Sequence, residues 1–117
     1  MKTKVILLGL VFILAFSTYQ SAASVDVRGI QIPLIETAVL EQQAKEPQAQ
    51  ATTRIYAVKK PIDEVIRFYE NYLQENNFLI IGGRTNNGFD AAVKKDGSMF
   101  DLKIYPKGKE TIIQFIW

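Results

Sequence analysis

The sequence predicts an α+β domain, with one amphipathic helix packed on a four- or five-stranded, mainly antiparallel sheet. Three observations predict it. Ile62, Val65, Ile66, Tyr69, Tyr72 and Leu73 recur at the i, i+3, i+4, i+7 spacing of a helix with one apolar side. The residues that follow break into short β-branched and aromatic runs divided by Gly, Asn, Asp and Pro. Two of those divisions, read as turns, send the apolar side chains of the flanking runs to the same side of a ribbon.

Ahead of this domain, Met1–Ala23 reads as a secretory signal peptide. Lys2 and Lys4 open it, Val5–Phe16 is uncharged and apolar, and Ser21 and Ala23 occupy the small-residue positions before a cleavage site. Twelve residues rise about 18 Å as a helix, short of a bilayer core of about 30 Å. The reading is therefore an exported protein, periplasmic or extracellular, that meets a membrane only through the signal before cleavage. The full chain of 117 residues carries 14 Lys+Arg and 12 Asp+Glu. Removing Lys2 and Lys4 leaves residues 24–117 formally neutral. A neutral domain has no global field to attract nucleic acid, and no nucleic-acid partner is expected.

The chain has no Cys and no His. Without Cys, an exported domain of this size holds by packing rather than by disulfides. Without His, the usual Ser and Cys triads and His/Cys zinc sites are excluded, and no metal or cofactor is expected.

Residues 24–40 include Val27, Ile30, Ile32, Leu34, Ile35, Val39 and Leu40, interrupted by Gly29 and Pro33. This is too apolar for a free tail and predicts an N-terminal strand segment packing on the domain. Residues 41–53 (EQQAKEPQAQATT) read as a polar linker or loop. Residues 54–117 form the β-α-β-β-β-β domain proper. Its first strand is part of Thr53–Val58. Pro61 suits the first helical position, Asp63 and Glu64 suit the positive end of the helix dipole, and Asn76-Asn77 suits a left-handed C-terminal cap. Phe78–Ile81 is the next strand, Gly82–Gly88 a turn, and Phe89–Lys95 a strand. Asp96-Gly97 is a two-residue hairpin turn, because both residue types accept positive φ. Ser98–Tyr105 returns, and Glu110–Trp117 ends the meander.

The Asp96-Gly97 turn sets Val93 against Phe100, Ala91 against Leu102 and Phe89 against Ile104 on one face, and Asp90 against Lys103 on the other. A Lys107-Gly108 loop sets Leu102 against Ile113 and Phe100 against Phe115, extending the same apolar face. The helix is its cover. The opposite face then carries Ala92, Met99, Ile112 and Ile116, joined by Leu79 and Ile81, mixed with Asp90, Lys94, Asp101, Lys103 and Gln114. Such faces are commonly solvated and polar. Two explanations compete: residues 25–40 fold back over the apolar part, or Leu79, Ile81, Met99, Ile112 and Ile116 dock a protein partner or a second copy.

The other candidates have plainer roles. Asp63-Glu64 suits a helix start better than acid–base work. Asp90 and Asp101 share a face, but Lys103 answers Asp90, which favours a charge ladder over a glycosidase pair. Gly82-Gly83-Arg84 has no phosphate-loop spacing, and its default is a loop or bulge. The aromatic residues other than Tyr105 and Trp117 sit at core spacing.

Tyr56, Pro61, Glu64-Val65, Phe68-Tyr69, Leu73 and Phe78 together form a pattern that resembles small exported bacterial domains of unknown function. Those have a strand, a Pro-led helix with an E-V-x-x-F-Y core and an antiparallel meander. The resemblance covers most of residues 54–117. It implies that fold and an envelope or extracellular location, and it carries no catalytic residues. The sequence thus favours a non-enzymatic binding or accessory domain. A small secreted enzyme or enzyme inhibitor using Asp90 and Asp101, or a structural homodimer, are its rivals.

Overall fold

The computed structural model describes residues 24–46 and 51–117, with the backbone path alone for 42–46. The expected signal peptide (1–23) and the segment 47–50 lie outside the described residues. The order is β1 (Ser24–Val27), β2 (Ile30–Pro33), β3 (Val39–Glu46), β4 (Ala51–Val58), α1 (Ile62–Glu75), β5 (Leu79–Thr85), β6 (Gly88–Lys95), β7 (Ser98–Lys107) and β8 (Glu110–Ile116). Strands β3 to β8 form one antiparallel sheet in the order β3-β4-β8-β7-β6-β5, and β1-β2 is a separate hairpin. The class is α+β, with one helix among the described residues, but the sheet has six strands rather than the four or five expected.

Helix α1 starts after Pro61 and keeps Asp63 and Glu64 in its first turn. Its buried side is Val65, Ile66, Tyr69 and Leu73. It ends at Asn76, and the next residue, Asn77, takes a left-handed φ of 59°. The chain then reaches β5, the far edge of the sheet, and returns strand by strand until β8 closes against β4. The β6–β7 pairing is the expected one: Phe89↔Ile104, Ala91↔Leu102 and Val93↔Phe100. Asp96 and Gly97 turn there with φ of 50° and 85°.

The next pairing differs. The loop is Gly108-Lys109, so Leu102 faces Phe115 and Ile104 faces Ile113. This is a slip of two residues from the expected register. Because side chains alternate with a period of two, the slip moves partners but not faces. The inner face therefore holds Phe89, Val93, Phe100, Leu102, Ile104, Ile113 and Phe115, all buried with Tyr56, Val58 and the buried side of α1 in one core.

Two segments depart from the sequence reading. Residues 41–46 and 51–53, expected as linker, are strand: β3 pairs with β4 along its length, with a bulge between Leu40 and Gln42. β3 is an edge strand whose residues 41–46 are mostly polar in sequence, so it lacks the apolar alternation that marks a half-buried strand. Gly82-Gly83-Arg84, expected as a turn, is also strand, and the turn shrinks to Asn86-Asn87. A Cβ on Gly82 would sit 2.5 Å from the Asp90 carbonyl oxygen, so this ladder position takes glycine for close backbone approach.

The β1-β2 hairpin turns at Arg28-Gly29, both with positive φ. Its buried row, Val25, Val27 and Ile32, joins the core on the helix side of the sheet. The Tyr69 hydroxyl donates to the Pro33 carbonyl at 2.9 Å, and the Tyr72 hydroxyl to the Gln31 carbonyl at 3.3 Å. Tyr69 also meets Phe115 edge-on, with ring centroids 6.1 Å apart. Burial pushes the Tyr69 phenol pKa well above its usual value. Residues 24–33 therefore cover the helix side of the sheet, not the opposite face.

Candidate docking face

Cross-strand pairing places the outer side chains in rows. One row runs Leu79, Lys94, Met99 across β5, β6 and β7. The next runs Ile81, Ala92, Asp101, Ile116, Thr53 from β5 to β4. At about 4.8 Å per strand, Leu79 and Met99 lie about 10 Å apart across the sheet. Leu79 and Ile81 are each 57% exposed and Met99 is 48% exposed. These three form an open apolar patch beside the β5 edge, with Lys94 set among them. Ile116 is half-buried at the inner border of this area.

Ile112 does not belong to the patch. It is on the outer face but only 2% exposed. It sits on the interior strand β8, in a row with Ala57 on β4 and Tyr105 on β7. Ala57 is buried too, so this is a small second cluster that the core on the helix side does not include. The expectation that Ile112 presents a free side chain is corrected. An outward-pointing residue in mid-sheet is covered by the neighbours on both sides.

Val39 marks the far end of the Ala57–Ile112 row, and it is exposed. The sequence offered residues 25–40 as one possible cover for this face, and Val39 within them is exposed instead. A strand start after Thr37, which has a φ of 69°, was the available signal only once the backbone was known. Between the two exposed apolar ends lies a polar band. Lys103 Nζ is 3.3 Å from Asp90 Oδ2, in the cross-strand register expected, and the Tyr105 hydroxyl donates to Gln114 Oε1 at 3.2 Å.

A cluster of charged groups at the start of the helix is mutually engaged. Arg84 reaches from β5 to α1, with Nη1 2.8 Å from Asp63 Oδ1 and both Nε and Nη2 3.1 Å from the two Glu70 oxygens. Asp63 also pairs with Arg67, and Glu64 with Lys60. The Arg84 hydrogen bond, with the Arg67 charge behind it, holds the Asp63 carboxyl below its usual pKa. Arg84 lines a cleft of about 370 Å³ between the start of α1 and the Asn86-Asn87 turn. With two carboxylates on Arg84, the cleft offers no spare cation to an anionic ligand.

Among the described residues, no group of three or more His, Cys, Asp or Glu is placed to hold a metal ion. Also among them, no helix is long and apolar enough to cross a membrane. Comparisons with protein-family models, curated proteins and solved structures gave no match.

Proposed function

We propose that the protein is an exported, non-enzymatic binding or accessory domain of the bacterial cell envelope. It works in the periplasm or outside the cell and docks a protein partner through the outer face of its sheet. One observation carries the reading: Leu79, Ile81 and Met99 stand exposed on a face that residues 24–33 leave open. Exposed apolar area rimmed by charge is the composition of a docking surface. Lys94 stands within the patch and Asp101 borders it on β7. The docking set is Leu79, Ile81 and Met99, with Ile116 at its margin. The leader-like Met1–Ala23 supports export.

The test is a photo-crosslinker in place of Lys94, introduced in the native cell, with one in place of Lys109 as control. An adduct heavier than two copies of the chain, formed from position 94 alone and lost in the Met99→Glu variant, is expected. Met99→Glu should leave the unfolding free energy within about 0.5 kcal/mol of wild type, as surface changes do. An adduct that survives Met99→Glu, or none from a folded and exported protein, overturns the reading.

A further inference from the structure

The sheet has two edges, and they are defended differently. Strand β3 carries Glu41, Lys45 and Glu46 and a bulge, the devices that blunt an open edge. Strand β5 begins Leu79-Ile80-Ile81-Gly82-Gly83, with no charge and no proline, and its register on β6 is unbroken. Its one charge, Arg84, is drawn inward to Asp63 and Glu70. No described strand pairs on its free side.

The direction of its backbone groups follows from the turns. Residues flanking a two-residue hairpin loop form a hydrogen-bonded pair, and such pairs alternate along the ladder. Thr85 and Gly88 flank Asn86-Asn87, so Thr85, Gly83, Ile81 and Leu79 point their N–H and C=O groups at β6. Lys95 and Ser98 flank Asp96-Gly97, which independently aims Lys94 at Leu79. Ile80 and Gly82 therefore aim both backbone groups at the open edge. Phe78 has the same parity, and its N–H is taken by the Leu73 carbonyl at 3.0 Å.

We propose that the β5 edge pairs with β5 of a second copy, antiparallel and two-fold symmetric about Ile80, giving a continuous twelve-stranded sheet. This deepens the docking reading by naming a partner for the edge of the same apolar patch. The two Ile80 residues exchange their N–H···O bonds, and each Gly82 N–H donates to the Phe78 carbonyl of the other copy. Leu79 then lies directly opposite Ile81 of the other copy, twice. In these closely spaced non-hydrogen-bonded pairs the exposed apolar side chains cover one another. Centring on Ile81 instead would set Leu79 against Gly83 and leave it half open. Charge is also matched along the rows. Lys94, Leu79, and the other copy's Ile81, Ala92 and Asp101 share one row, so opposite charges flank the joint and no like charges meet. An interface of one strand edge falls below about 1,200 Å², the weak and reversible class.

The test uses protein purified as it accumulates on expression of the full chain. Sedimentation should show one copy giving way to two as concentration rises to roughly 1 mM. Because the chain has no cysteine, Ile80→Cys introduces a single thiol. The symmetric pair places its Cα atoms about 5.5 Å apart, within disulfide reach, so mild oxidation should give a covalent dimer. Thr85→Cys should not, since its copies lie about 33 Å apart at about 3.3 Å per residue. Ile81→Lys should abolish dimerisation with the fold intact. A monomer throughout, a dimer that persists in Ile81→Lys, or crosslinking of Thr85→Cys in preference to Ile80→Cys overturns the proposal. Met99 lies two strands in from the edge. Met99→Glu should therefore keep the dimer while losing the partner adduct, so the two readings fail separately.

Discussion

The two faces of the six-stranded sheet are made of alternate residues of the same strands, yet they were solved as different packing problems. On the inner face, Leu102, Ile104, Ile113 and Phe115 have essentially no exposed surface, because α1 and the β1-β2 hairpin lie over them. On the outer face no described element lies on top. Burial there depends on lateral neighbours alone: enough at Ile112, between Ala57 and Tyr105, and too little at Met99 or at the edge residues Leu79 and Ile81. Burial in a sheet thus has two sources, a covering layer and lateral crowding, and only the first gives a face a uniform character.

The largest expected effect sharpens this contrast. Ile112→Glu places a carboxylate in a buried apolar row and should destabilise by about 3–5 kcal/mol, measured by urea unfolding. If Ile112→Glu is as mild as Met99→Glu, lateral crowding does not bury the outer row. The second test removes a tie between the two layers over the inner face. Tyr69→Phe keeps the ring against Phe115 but leaves the Pro33 carbonyl without its donor. A loss of about 1–3 kcal/mol is expected, with hydrogen exchange in β1-β2 rising more than in β6-β7. Equal loss in both would mean that hairpin and sheet open together.

The smallest effect is electrostatic. The Asp63 carboxyl titrates below its usual value of 3.8 in the folded protein. Its contribution is present above that value and is lost as pH falls through the lower folded pKa. The site is exposed, so the effect is small and salt-sensitive. Asp63→Asn should remove part of the stability at neutral pH and shallow the acid limb below about pH 4, read from thermal melts across pH. An unchanged acid limb would assign acid sensitivity to other carboxylates.

Much of the inner face was legible because a two-residue turn fixes parity, and parity fixes faces. The Asp96-Gly97 turn specified three apolar pairs and the Asp90–Lys103 pair correctly. The Lys107–Lys109 region did not specify the exact loop, because a shift of two residues keeps every side chain on its face. Strand β3 was illegible for another reason. The run Glu41–Glu46 carries no hydrophobic period, and Gln-Gln-Ala-Lys reads as loop. Gly82-Gly83 misled through composition, since glycine signals a turn as readily as a tight ladder contact. For the candidate site, the sequence could assign Leu79, Ile81, Met99, Ile112 and Ile116 to one face. It could not rank their exposure, because that depends on strand order, and strand order depends on which distant strands meet.

The hydroxyls of Tyr69 and Tyr72 bind the first hairpin to the helix. A segment joined ahead of Ser24 is therefore covalently rooted in the layer on the helix side. Any pull along it, whether from an uncleaved leader in a bilayer or from a fused anchor, is borne by those two phenols and the Val25–Ile32 contacts. A molecule held from that side leaves the outer face of the sheet, with Met99 beside the Asp96-Gly97 turn, free of the load.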